Sequence, residues 1–91
     1  MLQTISIIVY GKVQGVFYRQ STKETATALS ITGTVRNLPD NTVEIIATGE
    51  EEQLSQLYNW CKKGTPGAIV TRIEKQDLPL QAFNRFSVIR F

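Results

Sequence analysis

The order in which apolar periodicity changes along this chain limits its fold more than any other feature. Residues 4–10 alternate Ile5, Ile7 and Val9 with Ser6, Ile8 and Tyr10, which reads as a largely buried strand. From Gln20 to Ser30 a helix is expected, because Thr22, Ala26 and Leu29 share one face at i, i+4 and i+7. Its threonines weaken intrinsic helix propensity, so packing must help to hold it. Residues 31–38 and 42–48 read as paired strands joined by Pro39-Asp40-Asn41, where proline presets a turn and asparagine tolerates a left-handed backbone. Glu50 to Lys63 carries the clearest helical stripe, Leu54, Leu57, Tyr58 and Cys61. Glutamates at its start and Lys62 and Lys63 at its end complement the helix dipole, and Gly64 is placed to stop it. Ile69–Glu74 and Phe86–Phe91 read as strands, with 77–84 an irregular connection.

The resulting order is βαββαβ with room for a fifth short strand. It predicts an α+β, ferredoxin-like sandwich: an antiparallel sheet of four to five strands with two helices on one face. Ninety-one residues, 42% of them apolar, are expected to make one domain over 1–91 with a single core. The net charge of +2 is spread along the chain, so no basic tract points to a polyanion. No N-terminal leader pattern and no run of membrane-spanning length is seen. The lone Cys61 rules out an intrachain disulfide and fits a reducing, cytoplasmic setting. The chain contains no histidine, so its chemistry proceeds without the commonest general base and metal ligand.

The chemistry concentrates in Val9-Tyr10-Gly11-Lys12-Val13-Gln14-Gly15-Val16-Phe17-Tyr18-Arg19, where a strand passes through a glycine-containing loop into a helix. Glycine permits tight turns, and a helix N-terminus offers unpaired N–H groups and a positive dipole end. A guanidinium at that end is unfavourable unless an anion, or a nearby carboxylate, lies between the two. Arg19 therefore points to a cradle for phosphate or carboxylate, with an unliganded turn as the alternative. Asn37 follows the strand segment Gly33-Thr34-Val35-Arg36 and either starts the next turn or, with its amide, orients a water molecule. Lys12 and Arg36 are expected at the rim, Trp60 as partial core and Cys61 as a buried structural thiol.

These residues carry a family resemblance. The stretch Gly11-x-Val13-Gln14-Gly15-Val16-x-Tyr18-Arg19, together with Gly33-x-Val35-Arg36-Asn37 followed by Val43 and Gly49, resembles the two signatures of the acylphosphatases. The resemblance covers essentially the whole chain. It implies an acylphosphate phosphohydrolase that cleaves acyl phosphates to carboxylate and inorganic phosphate. It also implies that Arg19 binds phosphate with the backbone of Gln14, Gly15, Val16, Phe17, Tyr18 and Arg19. Asn37 would position the attacking water, and Thr22 would support the site from one turn into the helix. No cofactor and no metal are implied. The expected partner is a small acyl phosphate, with no nucleic acid, no membrane and a monomeric chain. A silent phosphate-binding domain and an RNA-binding module of the same topology are the alternatives; the chain lacks the aromatic-rich segments the latter requires. Three positions depart from the family pattern: Tyr18 for Phe or Met, Thr34 for an aromatic residue, and Asn41 for a turn glycine.

Overall fold

The computed structural model describes residues 1–90. Its elements are β1 (Leu2–Lys12), α1 (Tyr18–Ala28), β2 (Thr32–Asn37), β3 (Val43–Glu50), α2 (Glu51–Lys63), β4 (Ile69–Leu78) and β5 (Phe86–Ile89). The sheet runs β4-β1-β3-β2-β5, and both helices pack against it. The four longer strands pair antiparallel, as expected, but β5 lies parallel to β2 and makes the sheet mixed. Phe91, the end of the expected last strand, lies outside the described residues.

Strand periodicity divides the sheet into two faces. Ile5, Ile7 and Val9 of β1, Val43, Ile45 and Ala47 of β3, and Val35 of β2 are buried on one face. Ala26, Leu54, Leu57 and Cys61 from the helices complete that core. Full burial of a side chain such as Leu57 contributes about 1.5–3 kcal/mol. Gly33 has no room for a side chain: a Cβ there would lie 1.9 Å from the Ile46 carbonyl oxygen, at a φ of 146°.

Helix α1 and strand β4 differ from the sequence expectation, as do β1, two residues longer at each end, and β3, which ends two residues later. Helix α1 begins at Tyr18 rather than Gln20 and ends at Ala28 rather than Ser30. Its start is fixed by the Tyr18 ring, which is buried, lies 5.3 Å from the Trp60 ring and donates its hydroxyl to the Cys61 carbonyl at 2.7 Å. Its end is fixed by Ser30, whose φ of 62° is not helical. Strand β4 continues four residues past Glu74, because β1 remains available for pairing as far as Thr4 opposite Leu78. Those added residues, Lys75-Gln76-Asp77-Leu78, carry no apolar alternation. Charged side chains suit an edge strand, where they discourage pairing with another sheet.

Helix α2 matches its expected span closely. Glu50 is its N-cap, and its side chain and that of Gln53 exchange reciprocal bonds with backbone N–H groups. The Gly64 N–H closes the other end on the Trp60 carbonyl at 2.7 Å. Beyond β4 the chain crosses the sheet face opposite the helices to reach β5. It is pinned there through Gln81, whose N–H donates to Thr4 Oγ1 at 2.9 Å and whose carbonyl accepts from Thr48 Oγ1 at 2.8 Å.

Tyr18→Phe removes the donor to a buried helix carbonyl and should lower unfolding free energy by about 1–2 kcal/mol, measurable by urea denaturation. Burial also raises the Tyr18 hydroxyl pKa and pushes the Cys61 thiol up to about 12 from an ordinary 9.0. Because both groups bind protons more tightly when folded, this stabilisation is complete below the ordinary thiol value. It is lost as pH rises toward the folded value. The urea midpoint should therefore fall between pH 9.0 and about 12, and less steeply in Cys61→Ala. Identical slopes in the two proteins would contradict the assignment to Cys61.

Candidate functional site

The loop between β1 and α1 is shaped by its own backbone and held at three points. Gly15 has φ 73° with open space where a Cβ would stand, so here glycine serves conformation rather than packing. Phe17, the N-cap of α1, also has a left-handed backbone, φ 60°, although its ring is 83% exposed. Such a backbone in a bulky residue is costly and persists where the surroundings enforce it. Val13 and Tyr18 are buried at either end of the loop. The Gln14 amide donates to the carbonyls of Leu38 and Thr42, at 3.0 and 2.8 Å, tying the loop to the β2–β3 turn. The Val16 carbonyl accepts from Thr65 Oγ1 at 2.9 Å, tying it to the segment after α2.

The β2–β3 turn is itself well fixed. Asn41 takes a φ of 72°, as its left-handed tolerance allows, and Leu38 N–H donates to the Thr42 carbonyl at 2.9 Å. Asp40 accepts from the Thr42 hydroxyl and N–H, which hold its carboxyl below the usual range.

The first helical bond of α1 runs from Ser21 N–H to the Phe17 carbonyl, 3.0 Å. The N–H groups of Tyr18, Arg19 and Gln20 thus have no intrahelical acceptor. No side chain caps this end, and its first turn contains no acidic residue. Arg19 lies in that turn, half-buried, and donates one guanidinium N–H to the Ile89 carbonyl of β5 at 3.3 Å. Among the described residues it forms no ion pair. The like-signed helix end and guanidinium therefore lack the carboxylate that could have separated them.

Asn37 ends β2 on the helix-facing side of the sheet, in period with Gly33 and Val35. Its amide oxygen is buried and, among the described residues, accepts no hydrogen bond. A buried acceptor without a partner is costly, which marks this atom as available to a bound molecule. Arg19 and Asn37 share a cleft of about 410 Å³ with Val13, Gly15, Phe17 and Arg90. A second recess of about 330 Å³ adjoins it and is lined by Arg19, Asn37, Arg36, Ile89 and Arg90. Neither lining includes an acidic residue.

Not every expected residue reaches the cleft with its side chain. Gln14 acts as a strut, and Tyr18 buries its ring toward α2, so its departure from the family pattern joins the two helices. Thr22 is buried and donates to the Tyr18 carbonyl at 2.7 Å, bracing the first turn. Arg36 lines the second recess but is paired with Glu44 at 2.7 Å, while Lys12 is exposed at the end of β1. Two further groups at the site, Arg90 and the Ile89 carbonyl, are not among those expected from sequence. Alternation of Phe86, Val88 and Arg90 carries the signal for Arg90, but only once β5 is known to lie beside β2.

The comparisons with known proteins identify the family. The acylphosphatase family model matches residues 5–88. An acylphosphatase of Marinobacter nauticus is 51% identical over 81 residues, 88% of each chain, and one of Methylococcus capsulatus is 40% identical over 98% of each. The crystal structure of acylphosphatase from Bacillus subtilis superposes with a TM-score of 0.93 at 36% identity, covering 99% of this chain and all of that one.

Gln14→Leu deletes both bonds from the loop to the turn. It should weaken competitive inhibition by inorganic phosphate several-fold and lower stability by about 1 kcal/mol. An unchanged inhibition constant would mean that the remaining ties suffice to hold the cradle.

Proposed function

Because the chain belongs to the acylphosphatase family, a family of hydrolases of acyl phosphates, we propose that its cleft works through Arg19, the loop N–H groups and Asn37. The observation that carries this reading is the coincidence, among the described residues, of an uncapped helix end, an arginine without a carboxylate and an unpartnered amide oxygen around one acid-free cleft. The backbone N–H groups from Gln14 to Arg19 and the Arg19 guanidinium hold the phosphoryl oxygens of the substrate. Phosphoryl transfer passes through a loose transition state, so positioned positive charge and donors do most of the catalytic work. The Ile89 carbonyl accepts from one donor of the guanidinium, which leaves others for the substrate.

Asn37 accepts a hydrogen bond from a water molecule and aims it at phosphorus, in line with the leaving oxygen. Such prior orientation removes part of the entropic barrier. As the P–O bond to the acyl group breaks, the electron pair leaves with a carboxylate, which needs no proton. The water proton passes to a phosphoryl oxygen, so products are the carboxylate and inorganic phosphate. This route needs no histidine, in keeping with a chain that has none. The chain acts in this reading as one domain, residues 1–91, monomeric and without a metal or cofactor. Its lone, buried cysteine suits a cytoplasmic setting. Among the described residues no helix is long and apolar enough to cross a membrane.

The test is hydrolysis of benzoyl phosphate with and without a chelator. Asn37→Ala should lower kcat about 100-fold while leaving inhibition by phosphate nearly intact. Arg19→Ala should lower kcat/KM by about 1,000-fold, and Arg19→Lys should recover little, because an ammonium lacks the planar fork. Near-normal turnover by Asn37→Ala would remove that residue from the mechanism. Failure of the folded wild type to turn over, with phosphate still bound, would leave a silent binding domain.

A further inference from the structure

We propose that Arg90 forms a second anion subsite beside the phosphoryl cradle, and that the preferred substrates are acyl phosphates whose acyl group carries another negative charge. The inference rests on the hydrolytic reading above and extends it to the acyl end of the substrate.

Register is the first argument. Strands β2 and β5 pair in parallel from Gly33 opposite Phe86 to Arg36 opposite Ile89. One step further brings Arg90 abreast of Asn37. Phe86 is buried and Val88 packs on the core, so by strand alternation Arg90 lies on the helix-facing side, toward the N-terminus of α1. It accordingly lines both the main cleft and the adjoining recess.

Charge is the second argument. Among the described residues, three arginines, Arg19, Arg36 and Arg90, line the two adjoining spaces and no acidic residue does. Arg19 and the loop N–H groups account for the phosphoryl group. Glu44 offsets Arg36 at 2.7 Å. Arg90 is exposed and, among the described residues, has no carboxylate within ion-pair distance. Among the described residues, one cation thus remains without a counter-charge at the mouth of a site proposed above to bind one anion. The recess of about 330 Å³ beside it has room for a small acyl group. A carboxylate or phosphate on that group would meet the Arg90 guanidinium, which can donate to either as a fork.

The experiment compares benzoyl phosphate with 4-carboxybenzoyl phosphate and 4-phosphonobenzoyl phosphate in the wild type, Arg90→Gln, Arg90→Lys and Lys12→Gln. The wild type should favour the charged substrates in kcat/KM. In Arg90→Gln the ratio of charged to neutral substrate should fall about fivefold, the scale of an exposed ion pair. Arg90→Lys should retain part of the ratio. Lys12→Gln, which removes an equal charge outside the cleft, should leave it unchanged. The larger of the two wild-type ratios identifies carboxylate or phosphate as the better fit. A ratio that does not move in Arg90→Gln, or that moves equally in Lys12→Gln, overturns the proposal. Calorimetric binding of benzylphosphonate and 4-carboxybenzylphosphonate repeats the comparison without turnover. A folded wild type that fails to hydrolyse benzoyl phosphate would thus refute the reaction, while the phosphonates still decide the subsite.

Discussion

Positive charge held against positive charge is the condition on which this molecule is organised. The N-terminus of α1 and the Arg19 guanidinium occupy the same end of the same helix, with no acidic residue in that turn. Left alone, this arrangement raises the energy of the folded state. It becomes favourable when an anion enters, which is the role proposed above for this cleft. The left-handed backbone at Phe17 and the unpartnered oxygen of Asn37 are of the same kind: local costs collected around one cleft.

Such costs require a rigid surround. The loop is anchored through Gln14 to the β2–β3 turn, through Val16 to Thr65 after α2, and through Tyr18 to the backbone of Cys61. These ties reach three separate parts of the fold, each already fixed by packing or by its own hydrogen bonds. In the proposed reading, a loop held in this way has its donors in place before a substrate arrives, so little reorganisation accompanies reaction. Thr22, which never reaches the cleft, belongs to the same support because it braces the first turn of α1.

Much of this is legible in the residues, and the illegible part has definite causes. The strand at Ile5, Ile7 and Val9 and the helix stripe through Leu54, Leu57 and Cys61 show their periods because they are amphipathic by burial. Arg19 and Asn37 stand out because each is unusual in its local setting. The extension of β4 is hidden because Lys75, Gln76 and Asp77 lie on an exposed edge, where nothing selects an alternating pattern. The start of α1 is equally hidden, because Tyr18 is held by a contact to α2, 43 residues away. The parallel placement of β5 depends on a crossing segment that sequence periodicity does not encode, and with it goes the neighbourhood of Arg90.

That crossing segment has a consequence for how the protein comes apart. Strand β5 is four residues long, sits at one edge and reaches its place over a stretch fastened by Gln81 to Thr4 and Thr48. Were it to lift away, the pairings among β4, β1, β3 and β2 would survive, since none of them runs through β5. Arg19, however, would lose the Ile89 carbonyl that orients it. Hydrogen exchange divides proteins into such cooperative units, and the least secured unit opens first. If that unit is β5, the proposed role of Arg19 ties activity to a local opening that leaves the other strand pairings in place.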